Sequence, residues 1–251
     1  MSRTREYTSY RGELLPRAAL PGQARDEQYN IMLDAVRRWL TWGGRLPAWA
    51  ELTAWAQAHH WTLKRTMAHD GWAMDHNPRH AGWRIEWGPS QRSFMSSHEF
   101  RIRFEVALNS DVQALVLDRP LLARLDREVY AQFTDSVKTR LDEETPEEMR
   151  WLAMHAKLSP NQMGVDLRDR YGAISNDVFW VSRWLAGPIS AALKRRADQM
   201  PIEAVSAEPF ILRLARGQVV IRQSAVVPRV QVLETCVAVA QAVEDALRRS
   251  A

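Results

Sequence analysis

The sequence predicts an α+β fold with a helical N-terminal lobe, a small antiparallel sheet and long helices packed over it. Three observations predict this. Apolar residues recur at helical spacing in Tyr29, Met32, Leu33, Val36 and Leu40, and again in Leu122, Leu125, Val129, Phe133 and Val137. They alternate with polar residues from Trp83 to Trp87 and from Phe100 to Leu108, as half-buried strands do. Finally, Pro209 to Leu214 and Val219 to Arg222 flank Ala215-Arg216-Gly217-Gln218, the signature of a β-hairpin.

Taken in order, residues 1–25 contain Pro16 and Pro21 and no sustained apolar period, which predicts an irregular arm. Residues 26–109 form the predicted basic helical lobe with its strand pair. The first helix starts at Asp26 and stops at Gly43-Gly44. Pro47 opens a second, with Leu52, Trp55 and Ala56 on one face. A third is expected over Thr62 to His69, ending at Gly71. The connection from Gly88-Pro89-Ser90 to the second strand is too long for a tight hairpin and predicts a functional or mobile loop.

Asn109-Ser110-Asp111 marks the expected boundary to a helix-rich lobe over residues 110–251, with the hairpin at 209–222. Ala114 to Leu117 is a short strand candidate, and Asp118 is placed to cap the long helix that follows. Thr145-Pro146-Glu147-Glu148 has a capping-box pattern and favours a helix over Met149 to Lys157, although Met149, Trp151, Ala153 and His155 also alternate. Ser159-Pro160 starts another helix, with Gly172 as its stop. Ser175 to Gln199 reads as one helix bent at Gly187-Pro188, because proline removes a backbone donor there. The last helix is expected from about Arg229 to Arg249.

The chain has 251 residues, 46% hydrophobic and 25% charged, which is the balance of an ordinary globular protein large enough to bury a core without staples. The single cysteine, Cys236, lies among Val232, Leu233, Val237 and Val239, so no disulfide framework exists and a buried packing role is expected. No secretory signal or membrane-spanning run is recognised, and the expected location is the cytoplasm. Net charge is +4 and asymmetric. Residues 1–110 hold 15 Arg and Lys against 11 Asp and Glu, whereas residues 111–251 hold 19 against 19. Six of the seven histidines and eight of the eleven tryptophans also precede residue 110, which directs the search for function to that half.

Residues Pro47 to Met74, PAWAELTAWAQAHHWTLKRTMAHDGWAM, carry apolar anchors at Leu52, Ala56, Ala58, Leu63 and Met67. This segment resembles the helix-turn-helix of AraC-type transcriptional regulators. The resemblance implies that a second helix over about His60 to His69 enters the major groove of DNA, presenting His60, Trp61, Lys64 and Arg65 to bases and phosphates.

A second surface is defined by charge. Arg84, Arg92, Arg101 and Arg103 gather on or beside the strand pair, and a stripe of guanidinium groups suits an acidic protein partner or a phosphate. Glu86 and Glu105 on the same strands provide a balancing charge. The histidines His59, His60, His69, His76 and His80, with Asp70 and Asp75, raise metal-assisted hydrolysis, but Pro78 interrupts the His76 to His80 spacing and no metal ligands are assigned. Ser90, Ser93, Ser96, Ser97, His98 and Glu99 bring a serine, a histidine and a carboxylate together in sequence, without a nucleophile elbow. Phosphate-binding glycine loops are absent, and no catalytic residue or cofactor is assigned. The leading expectation is thus a non-enzymatic binding or regulatory protein acting on nucleic acid. A protein-interaction module, such as an adaptor or secretion accessory, is the alternative, followed by a metal-dependent hydrolase.

Overall fold

The computed structural model describes residues 45–66, 70–75, 77–108, 111–135, 145–200 and 208–249. The predicted arm and the helix from Asp26 to Leu40 lie outside them. The elements, in chain order, are α1 (Arg45–Ala58), β1 (Thr62–Arg65), β2 (Trp72–Asp75), β3 (Arg84–Pro89), β4 (His98–Glu105), β5 (Ala114–Asp118), α2 (Arg119–Asp135), α3 (Glu147–Met154), β6 (Ala156–Lys157), α4 (Pro160–Met163), β7 (Tyr171–Ser175), α5 (Val178–Leu185), α6 (Pro188–Gln199), β8 (Phe210–Ala215), β9 (Gln218–Ser224) and α7 (Val230–Arg248).

The sheet is the main correction to the expected architecture. In place of a small sheet, the described residues form one nine-stranded antiparallel sheet in the order β1-β2-β3-β4-β9-β8-β5-β7-β6. It runs through both halves of the chain, because β4 pairs with β9 along its length. β5 lies where Ala114 to Leu117 reads as a strand candidate. β7, missed in the sequence, lacks the alternation that betrays a half-buried strand, because it is buried at every position from Tyr171 to Ser175. β1 is a four-residue edge strand, mostly exposed, and carries almost no hydrophobic signal.

The period-2 geometry of the strands splits the sheet into two chemically distinct faces. One face presents Trp72, Met74, Ile85, Trp87, Phe100, Ile102 and Phe104 from β2 to β4, and continues through Phe210, Leu212, Val219 and Ile221. These pack in one core with Leu52, Trp55 and Ala56 of α1, Leu193 and Ala197 of α6, and Leu233, Cys236, Val239 and Val243 of α7. Burying each such large side chain contributes about 1.5–3 kcal/mol before conformational entropy is set against it.

Among the described residues, helices cover the opposite face over its β5, β7 and β8 half. There Leu115, Leu117, Ile174 and Ile211 pack against Leu121, Leu125 and Val129 of α2 and Met149, Trp151 and Leu152 of α3. Phe94 and Met95, from the loop joining β3 to β4, join this second core. That loop is therefore fastened: Arg124 donates to the Phe94 carbonyl, and the Ser96 N–H donates to Ser224 Oγ.

Several local expectations hold and others shift. The hairpin turns at Arg216 and Gly217, with φ of 51° and 68°, the positive values that a two-residue type I′ connection needs at both positions. The long helix expected from Ser175 to Gln199 is two helices, α5 and α6, separated at Gly187, whose φ is 70°. The ambiguous segment after Pro146 is helix to Met154 and then the short edge strand β6. Asp118 ends β5, and its carboxylate turns inward to Arg196 and to the Phe210 N–H.

Candidate interaction surface

The segment that resembles a helix-turn-helix contains one helix, α1. His60 takes φ of 60°, in the left-handed region, while the His60 and Trp61 N–H groups donate back to the Gln57 and Ala56 carbonyls. This geometry terminates a helix and redirects the chain. Thr62 to Arg65 then form β1, so the expected recognition helix is corrected to a turn and a strand; residues 67–69 lie outside the described ones. Trp61 is buried and stacks with His80. Lys64 pairs with Asp75 at 3.1 Å, and the Arg65 guanidinium lies over the Trp49 ring. The four residues are thus spread over a core contact, a turn and both faces of an edge strand, without a shared groove-reading surface.

The described histidines His59 and His80 make separate ring contacts, and His69 and His76 lie outside the described residues. His59 stacks on Trp55, and His80 sits between Trp61 and Trp83 with Nδ1 3.8 Å from the Glu244 carboxylate. Among the described residues no group of three or more His, Cys, Asp or Glu is arranged to hold a metal ion. His98 and Glu99 are consecutive in β4 and so point to opposite faces. His98 stacks on Trp87, whereas the Glu99 carboxylate pairs with Arg222, so Glu99 does not orient the histidine beside a serine. The loop serines serve structure: Ser90 Oγ accepts from the Arg92 N–H, and Ser96 Oγ donates to the His98 carbonyl.

Arg84, Arg101 and Arg103 are brought together on the sheet face that no described helix covers. The register sets Arg84 directly across from Arg103, Glu86 across from Arg101, and Arg101 across from Arg222. Two like-charged pairs thus sit on adjoining strands, an arrangement that costs stability unless a carboxylate intervenes. Glu86 intervenes. Its Oε1 accepts from Arg84 Nε at 2.7 Å, while Oε2 lies 3.1 Å from Arg103 Nη2 and 3.4 Å from Arg101 Nε. Burial pushes the Glu86 pKa up, but the Arg84 hydrogen bond and the charges of Arg103 and Arg101 outweigh it and hold the carboxyl below its ordinary value.

Exposure separates the arginines into two kinds. Arg84 and Arg103 are 49% and 44% exposed, whereas Arg101 is 14% exposed. Arg101 and Arg222 both approach Glu99, which is fully buried. Desolvation raises the Glu99 pKa despite the two guanidinium groups, and it lowers that of Arg222 despite Glu99. Arg92 belongs to a different contact. It reaches across from the loop to Glu148 of α3 at 2.9 Å and ties the loop to the second core. Beyond Arg103 the face ends at a cleft of about 270 Å³ lined by Glu105, Glu147, Arg213, Ala215, Arg216 and Gln218, which suits a charged occupant over an apolar one.

Sequence reasoning gave Glu86 only a balancing role and did not find Glu99, Glu148 or Arg222 as members of the network. Alternation alone places Glu86 and Glu99 on the arginine side of their strands. Arg222 and Glu148 need the pairing of β4 with β9 and the packing of the loop on α3, which are long-range facts.

No family model and no curated protein matches the chain. A solved structure that is similar to it is the crystal structure of the mycobacterial trehalose monomycolate transport factor A, at 10% identity and a TM-score of 0.40, covering 78% of this chain and 91% of that chain. A likeness at that level carries no argument about function. Among the described residues no helix is long and apolar enough to cross a membrane.

Proposed function

We propose that the protein is a protein-interaction module that binds an acidic protein partner through the face of β3, β4 and β9 that no described helix covers. The carrying observation is the imbalance around Glu86. A guanidinium offers five N–H donors and a carboxylate about four acceptor sites, so Glu86 leaves donors of the half-exposed Arg84 and Arg103 to solvent, while the buried Arg101 also approaches Glu99. Among the described residues, the Arg84 and Arg103 side chains donate only to Glu86. Half-exposed, rigidly based arginines of this kind are suited to bidentate carboxylate recognition.

The charge pattern favours discrete carboxylates over a phosphate backbone. Lys64, Arg84, Arg101, Arg103 and Arg222 share the face with Asp75, Glu86, Glu99 and Glu105. Nucleic-acid binding draws on an extended, mostly positive surface that releases many counterions. Here the signs alternate over one or two residues, so the face lacks that extended positive surface and instead offers guanidinium groups singly and in pairs.

The test uses the full chain as bait in extract of the source cells, beside an Arg84→Glu plus Arg103→Glu variant with an unchanged circular dichroism spectrum and melting temperature. Acidic proteins retained at low salt by the wild type should be lost from the variant, while duplex DNA binds neither. Identical capture by both baits would contradict the proposal.

A further inference from the structure

Resting on the reading of this face as a carboxylate-binding surface, we infer that Glu86 is a built-in competitor that occupies the partner's place on the Arg84 and Arg103 clamp. The geometry around it is that of a bound ligand. Arg84 and Arg103 stand directly opposite one another on adjacent strands, with the Glu86 carboxylate bridging them by separate oxygens. Arg101 closes the third side from the strand position facing Glu86. The partner's carboxylate chemistry is therefore the chemistry this site already accommodates.

The clamp and its resident acid are mechanically unequal. Arg84 and Arg103 stand half in solvent and can swing outward on their stems, whereas Glu86 and Arg101 are each 14% exposed. An incoming carboxylate meets the outward N–H groups of the two exposed arginines and exchanges with Glu86 for them. Glu86 keeps the buried Arg101 as its remaining partner. This internal exchange sets the affinity: it keeps the unbound face from presenting a bare cationic cluster and makes binding depend on more than one incoming carboxylate.

Fluorescence anisotropy with a fluorescein-labelled decaglutamate peptide at low ionic strength tests this on the intact chain. Glu86→Gln removes the competing charge and should tighten peptide binding by about threefold to tenfold, the effect of removing one nearby like charge from a partly screened site. Glu86→Asp keeps the charge on a shorter stem and should fall between Gln and wild type, which preserves the test if Glu86→Gln is poorly folded. Arg84→Ala plus Arg103→Ala should weaken binding by about tenfold or more. If the arginine pair matters but Glu86→Gln and Glu86→Asp bind no tighter than wild type, the competitor role is overturned and the interaction surface stands. If the arginine substitutions leave peptide binding unchanged, or a fluorescent DNA duplex binds the same clamp more tightly than the peptide, both readings fall.

Discussion

Arg196 and Asp118 form a buried bidentate ion pair, with Nη1 3.0 Å from Oδ1 and Nη2 3.2 Å from Oδ2 and neither side chain more than 2% exposed. Gln223 Oε1 accepts from Arg196 Nε and Nη2, and Arg196 Nη1 also donates to the Tyr171 hydroxyl oxygen. The guanidinium carbon lies 4.1 Å from the centroid of the Phe210 ring. Burial pushes the Asp118 pKa up against the pull of Arg196, while burial of Arg196 is outweighed by Asp118 and Tyr171 together, which raise its pKa and keep it charged. One side chain from α6 thereby joins β5, β7, β8 and β9 under the helical layer.

Breaking that pair strands a charge. Asp118→Asn or Arg196→Met should each lower unfolding free energy by about 3–5 kcal/mol, measured from urea midpoints at constant slope. Asp118→Leu combined with Arg196→Met should recover part of the loss, because no buried ion remains. Single variants within about 0.5 kcal/mol of wild type would show that the pair is not buried as described.

Glu86 and Glu99 should titrate stability in opposite directions. The Glu86 pKa is lowered from 4.5, so its contribution is complete above that value and disappears as pH falls through the folded pKa. The Glu99 pKa is raised from 4.5, so its contribution is complete below that value and is lost as pH rises through the folded pKa. Urea unfolding from about pH 3 to pH 7 should therefore show the wild type losing its margin over Glu86→Gln on acidification and gaining relative to Glu99→Gln. Parallel pH curves for the two variants would contradict these environments.

Two glycines differ in what surrounds a new methyl group. A Cβ on Gly71 would press on the Trp87 carbonyl oxygen, which is fixed by the sheet, whereas one on Gly172 would meet the end of the Leu122 side chain, which can rotate away. Gly71→Ala should cost about 1–3 kcal/mol and Gly172→Ala less. Thermal melts of the two variants decide the order.

Cys236 lies in the core against the sheet, and burial pushes its thiol pKa up to about 12. Ellman's reagent should leave it unmodified in the native protein and modify it fully in urea. Rapid native-state labelling would place α7 away from the sheet.

How much of this was legible in the sequence follows from the range of the contacts. Trp83 to Trp87 and Phe100 to Leu108 announce β3 and β4 through local alternation, and Gly217 announces its turn as a residue that tolerates positive φ. β7 does not announce itself: Tyr171-Gly172-Ala173-Ile174-Ser175 is short, buried on both faces and begins beside a glycine that reads as a helix stop. β1 was misread because Leu63 keeps helical spacing from Leu52 and Ala56, while the left-handed His60 that ends the helix carries no compositional mark. The arginines of the face were legible as a cluster, but their division into exposed Arg84 and Arg103, buried Arg101 and displaced Arg92 needed the register and the folded loop.

The central claim is that Arg84 and Arg103 take an acidic side chain from a partner, and their own guanidinium groups report on it most directly. The Nε–H resonances of the two arginines, assigned with Arg84→Lys and Arg103→Lys, are followed during titration with decaglutamate at low salt. Both should shift together and saturate, and the shift should diminish with added salt as screened charge pairs do. Resonances that stay fixed while the peptide binds elsewhere would contradict the account.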